Sequence, residues 1–150
     1  MVIALGSDHA SFELKEEIKK NLAEQKIEFK DFGTNSCNSV DYPEFGFKVA
    51  NAVANGEYPK GILFCGSGIG MSIVANKVPK IRAALCNDVY TAKLSREHND
   101  ANILVLAGRI IGIGLAKEIV KVWLNTKFSE EKRHADRISQ ISDIERKYCK

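Results

Sequence analysis

Apolar positions along this chain switch repeatedly between strand-like runs and helical spacing. Val2–Gly6 is a short apolar run ended by glycine, the pattern of a buried strand. Phe12, Leu14, Ile18 and Leu22 then recur at near-helical spacing, with Glu and Lys between them. Ile27–Phe32 alternates apolar and polar, which predicts a more exposed strand. The stretch 33–43, GTNSCNSVDYP, is a long loop of turn residues. Helical spacing resumes from Glu44 to Asn55, and Gly56 suits the C-terminal cap. Lys60–Cys65 is a third strand, followed by a helix from Gly68 to Lys77 that stops before Pro79. Ile81–Leu85 is a fourth strand, and Asp88 caps a helix reaching Glu97. Ile103–Ala107 is fully apolar, a buried fifth strand, and Gly114–Thr126 is helical.

Strands alternating with helices imply a parallel sheet covered on both faces. No repeat, low-complexity tract or linker interrupts the pattern, so residues 1–150 are expected to form one domain. The tail differs. Residues 129–137, SEEKRHADR, are charged, and Ile138, Ile141, Ile144 and Tyr148 then mark a final amphipathic helix. This arm, about 129–150, needs a surface for its apolar stripe: its own domain or a second subunit.

Composition narrows the class. Apolar residues make up 45% of the chain and charged residues 27%, as in ordinary globular proteins. The net charge of +3 is too small to point to nucleic acid, and it suits a small anionic ligand held by local cations. No apolar run approaches the ~20 residues of a membrane span. The N-terminal MVIALGSDHA reads as a strand rather than a targeting leader, so a cytoplasmic protein is expected. Cys37, Cys65, Cys86 and Cys149 show no CxxC spacing, and His9, His98 and His134 are scattered. Neither a metal site nor a redox dithiol is indicated.

In open α/β sheets ligands bind beyond the C-terminal ends of the strands. That rule gathers GSDH (6–9), SVDYP (39–43) and CGSGIG (65–70) on one edge. The glycine segment has G-x-G-x-G spacing and follows the third strand, which disfavours a dinucleotide. It is either a plain tight turn or a set of N–H groups for an anion or oxyanion. Cys65 is either a small buried hydrophobe or a base or nucleophile whose thiolate the helix N-terminus favours. A cysteine phosphatase would need C-x5-R, and Met71 stands where the arginine would be. Cys86 reads as packing, and Cys37 and Cys149 as surface thiols. Asp8 and His9 are adjacent, which by itself could mean only a bond that orders the turn. Residues 95–102, SREHNDAN, form a polar connection in which His98 and Asn99 could cap a helix. Arg109 follows the fifth strand on the Cys65 edge. Arg133 and Arg137 share a helix face, as a phosphate clamp or as a solvated arm.

Together GSDHA, DFGT, VDYP, CGSGIGMSIVANK, IRAAL, SREHNDANIL and RHADR resemble the type B ribose-5-phosphate isomerases, a family that includes galactose-6-phosphate isomerase subunits. The resemblance spans nearly the whole chain. It implies a Rossmann-like three-layer sandwich with a five-stranded parallel sheet and a C-terminal helical arm. It also implies a homodimer or dimer of dimers and cofactor-free aldose–ketose isomerisation in the pentose phosphate pathway. Carried over, Cys65 resembles the base that moves a proton between C2 and C1, and His98 the acid that opens the sugar ring. Ser67 and Asp41 join them as catalytic candidates. Asp8, His9, Tyr42, Asn99 and the loop Gly66, Ser67, Gly68, Ile69 and Gly70 match substrate contacts. Arg109, Arg133 and Arg137 match phosphate ligands. Ser67 replaces a common threonine and keeps its hydroxyl. Where Gly-Gly often precedes the arm's Arg-His, this chain has EEK.

Isomerisation of this kind needs a base, oxyanion donors and exclusion of water, and no redox cofactor. An isomerase of a six-carbon sugar phosphate, such as allose 6-phosphate or galactose 6-phosphate, fits the same residues. A non-catalytic sugar-phosphate-binding protein fits the loop and arginines but has no use for Cys65 and His98 together. His98 leads into the N-terminal end of the fifth strand, whereas Cys65 ends the third. Those are opposite edges, ~17 Å apart for a five-residue strand. The family roles therefore require His98 and Asn99 to serve the crevice of a neighbouring subunit.

Overall fold

A computed structural model describes residues 1–148, so Cys149 lies outside the described residues. The strands are β1 (Ile3–Ser7), β2 (Phe29–Asp31), β3 (Gly61–Cys65), β4 (Ala83–Leu85) and β5 (Ile103–Ala107). They form one parallel sheet in the order β2-β1-β3-β5-β4. The helices are α1 (Phe12–Glu24), α2 (Tyr42–Ala54), α3 (Ile69–Ala75), α4 (Val89–Glu97), α5 (Ile113–Asn125) and α6 (Lys132–Tyr148). A single 3-10 turn, His9–Ser11, links β1 to α1.

The three central strands are buried at every position, as their unbroken apolar runs require. Alternate residues feed opposite faces. Ile62, Phe64, Leu104 and Leu106 pack with α1, α4 and α5 around the fully buried Trp123. Leu63, Cys65, Ile103 and Val105 pack with α2 and α3 around Val49 and Met71. The crossovers through α1 and α4 step the sheet in one direction, and those through α2 and α3 step it in the other. Each pair occupies its own face, as a uniform crossover hand demands. The direction of winding reverses between β1 and β3, where Ser7 pairs with Phe64.

The edge strands are shorter than their sequence patterns. The turn closing α1, where Ile27 N–H donates to Leu22 C=O at 2.9 Å, consumes the start of the β2 run. The polar connection 95–102 begins as the last turn of α4, and its Arg96 is buried. That guanidinium is satisfied by Asp100 Oδ1 at 2.8 Å, Ala101 C=O at 2.6 Å and Thr126 C=O at 3.3 Å. Asp88 caps α4 by accepting from Thr91 N–H at 2.7 Å.

The last helix starts at Lys132, inside the charged lead-in, and contributes to neither core cluster. Ile141, Ile144 and Tyr148 are exposed and border a groove of about 460 Å³ against Ile81, Arg82 and Asn99. The described residues include no helix long and apolar enough to cross a membrane.

Candidate active site

The crevice at the winding reversal lies between the ends of β1 and β3, the position that favours ligand binding in this architecture. Asp8 leaves β1 with its N–H on Phe64 C=O at 3.1 Å. Its carboxylate caps the 3-10 turn by accepting from Ser11 N–H at 3.1 Å. Asp8 does not bond His9, as the adjacent pair had suggested. His9 Nδ1 instead accepts from Val40 N–H at 3.2 Å and ties this turn to the long loop before α2. That bond leaves Nε2 to carry the proton of the neutral ring.

Cys65 ends β3 and is 6% exposed. Burial pushes its thiol pKa up, and the neighbouring Asp8 carboxylate adds to the rise. The N–H groups of Gly68 and Met71 pull the other way without prevailing. The thiolate expected from the helix N-terminus is therefore not the resting form. A seven-residue helix supplies too few aligned dipoles to outweigh a buried site with a carboxylate in it.

The glycine loop is shaped by its neighbours. Gly68 has φ +76°, and a Cβ there would meet Leu85 Cδ1 at 2.4 Å. A Cβ on Gly70 would meet Tyr42 Cζ at 2.5 Å, so Tyr42 leans directly over the loop. Ser67 is exposed, and its Oγ accepts from Ile69 N–H at 3.3 Å. Ile69 is also exposed. Arg109 N–H donates to Gly66 C=O at 3.0 Å, which lays the arginine side chain beside the loop. Asp41 is the exposed N-cap of α2 and makes no capping bond.

The remaining candidates lie at the other edge of the sheet. His98 is the C-cap of α4, its N–H on Leu94 C=O at 2.9 Å. Arg82 holds the turn that carries Asn99, donating to Asn99 C=O at 2.8 Å and to Asp100 C=O at 2.9 Å. Arg133 and Arg137 are exposed on α6, and Arg133 Nε pairs with Glu131 Oε2 at 2.8 Å. The glutamate comes from the EEK segment. Sequence reasoning passed over His134, which lies between the two arginines. Its ring stacks on His98, with centroids 4.1 Å apart and planes 13° from parallel. Its place within RHADR was the available signal.

The chain thus presents two clusters. Asp8, His9, Tyr42, Cys65 to Gly70 and Arg109 share one edge, and His98, Asn99, Arg133 and Arg137 share the other. The ribose/galactose isomerase family model matches residues 3–141. The chain belongs to that family. It is 48% identical to ribose-5-phosphate isomerase B of Escherichia coli, with 97% of each chain covered. The ribose-5-phosphate isomerase B structure from Clostridium thermocellum superposes with a TM-score of 0.96 at 53% identity, covering 99% of both chains. That of the Mycoplasma genitalium enzyme with bound ribulose 5-phosphate superposes with a TM-score of 0.91 at 37% identity, over 97% of this chain and 96% of that one. The five-stranded parallel sheet of this isomerase chain is the Rossmann-like arrangement that its motifs imply.

Proposed function

We propose that this chain interconverts ribose 5-phosphate and ribulose 5-phosphate without a cofactor, as a pentose phosphate pathway enzyme of the cytoplasm. The observation that carries the reading is the buried Cys65 thiol at the winding reversal, between the Asp8 carboxylate and the N–H groups of the glycine loop. Whole-length similarity to ribose-5-phosphate isomerases B supports the substrate. The free thiols Cys37, Cys65 and Cys86 suit a reducing compartment.

The reaction begins with ring opening. His98 gives a proton to the ring oxygen as the C1–O4 bond breaks, and O1–H passes its proton to the Asp41 carboxylate as the aldehyde forms. Cys65, its own proton given up to solvent before the substrate seals the crevice, takes the proton from C2. The electron pair becomes the C1=C2 bond, and O1 takes the negative charge. N–H groups of the Gly66–Gly70 loop stabilise that oxygen. Protonation at C1 by the thiol, with transfer of the O2 proton to O1, gives the ketose. Ser67 and Asp41, on the rim, belong to this proton traffic. Asp8, His9, Tyr42 and Asn99 hold the sugar hydroxyls, and Arg109, Arg133 and Arg137 the phosphate. Because the two clusters occupy opposite edges, the working site combines one edge from each of two subunits in a homodimer or a dimer of dimers.

Kinetics with Cys65→Ala test the reading. Turnover should fall by at least ~10²-fold, the lower range for losing a positioned acid–base group. Cys86→Ala, which alters a packed thiol beside α4, should stay active. Among ribose 5-phosphate, allose 6-phosphate and galactose 6-phosphate, the first should show the highest kcat/KM. Near-normal turnover by Cys65→Ala would remove the thiol from the mechanism.

A further inference from the structure

His134 is 3% exposed, and its Nε2 has no hydrogen-bond partner. A buried imidazole with an unpaired nitrogen is unfavourable unless another contact offsets it. The contact that the ring makes is a near-parallel stack on His98, at 4.1 Å and 13°. It comes from the first turn of α6, the helix that also carries Arg133 and Arg137. Burial, the His98 ring and the guanidinium groups of Arg133 and Arg137 all lower the pKa of His134, and Glu131 only partly opposes them. Glu131 is itself engaged by Arg133, and its carboxylate stands 3.9 Å from His134 Nε2. Burial and its cationic neighbours therefore hold His134 toward its neutral form.

We infer that His134 is a positioning residue for His98: its buried ring clamps the His98 imidazole by stacking and joins it rigidly to the helix that carries the arginines. The inference rests on the proposed role of His98 in ring opening. His134 itself exchanges no proton with substrate. It fixes where the His98 ring points, because one face of that ring is covered and the α4 cap holds its backbone. An acid that must meet a furanose oxygen works only within a narrow geometry.

Two measurements separate positioning from general structural support. Conversion of ribose 5-phosphate requires the furanose to open. Exchange of the C1 proton of ribulose 5-phosphate with D2O does not, because O5 is esterified and this ketose stays open-chain. Conversion is followed by ketose formation and exchange by NMR, on the same enzyme samples. His134→Ala and His134→Gln should lower the ratio of conversion to exchange by about tenfold, part of what an acid–base group contributes. His134→Phe, which keeps a stacking ring without a titratable nitrogen, should hold the ratio within about threefold of wild type. His98→Ala should lower it at least as far as His134→Ala.

If both activities fall together in His134→Ala and His134→Gln, with the ratio unchanged, His134 is merely structural. A phenylalanine variant with a ratio as low as that of the alanine variant would also overturn the stacking account. If His98→Ala lowers the ratio and His134→Ala does not, only the positioning inference fails. An unchanged ratio in His98→Ala removes the ring-opening role, and the inference with it.

Discussion

At Cys65 two opposing influences meet within a few ångströms. Burial and the Asp8 carboxylate favour the thiol, while the N–H groups of Gly68 and Met71 favour the thiolate. Because the first pair prevails, the base form grows only as pH rises above the ordinary thiol value. Peptide-resolved alkylation by iodoacetamide should therefore give Cys65 a midpoint above ~8.5, the value of an unperturbed thiol. Asp8→Asn should move that midpoint down by removing one of the two elevating causes. A wild-type midpoint below the ordinary value, or an upward move in Asp8→Asn, would contradict this balance. The location of the thiol was legible in sequence, since an apolar run ends in Cys65 just before a glycine turn. Its charge state was not, because burial by packed neighbours and a carboxylate just beyond the end of another strand set it.

At the scale of elements, the loop that carries Asp41 is anchored by a buried ionic network between α1 and β2. Lys15 is fully buried, with Nζ donating to Asp31 Oδ2 at 2.6 Å, Asp31 Oδ1 at 2.8 Å and Thr34 C=O at 2.6 Å. Asp31 also accepts from Lys19 Nζ at 2.8 Å and from Gly33 N–H at 2.9 Å. Burial alone would raise the Asp31 pKa, but the bonds from Lys15, Lys19 and Gly33 outweigh it and hold the carboxyl below its ordinary value. A carboxyl with a depressed folded-state pKa contributes stability that is present above the unfolded value and lost as pH falls through the folded one. Asp31→Asn should cost about 3 kcal/mol at pH 7, the low end for breaking a buried pair, because Lys15 keeps only the longer contact to Glu16 Oε1 at 3.5 Å and the Thr34 C=O. The gap from wild type should close as pH falls below ~3.9. Equal gaps at pH 7 and pH 3 in urea unfolding would refute this account. Lys15 had looked like a spacer between Leu14 and Ile18, since spacing records which face a residue takes but not a partner across the fold. The bounds of β5 were legible in full because an unbroken apolar run stops at Gly108. Those of α6 were blurred because a charged first turn is equally good helix and loop.

Across the whole molecule, the sheet itself separates the chemistry. Residue order and strand direction alone put His98 and Cys65 at opposite edges, and the parallel register keeps them there, with Gly61 beside Ile103 and Cys65 beside Ala107. What sequence could not supply was the stack that gathers His98 and the arginine-bearing helix into one cluster, because His134 and α4 meet only in three dimensions. On the proposed reading each chain carries two half-sites, and α6 leaves Ile141 and Ile144 exposed in the groove that Asn99 also lines. A second copy that completes each site would also cover such a stripe. Mixing tests this arrangement. Cys65→Ala and His98→Ala chains should each be nearly inactive alone. When the two are unfolded and refolded together, about half of randomly paired dimers are hybrids, each with one intact site and one doubly defective site. Activity should return to about a quarter of wild type for such pairing. If tagged hybrids are isolated and remain as inactive as the parents, Cys65 and His98 do not meet across a subunit boundary, and another group must open the ring.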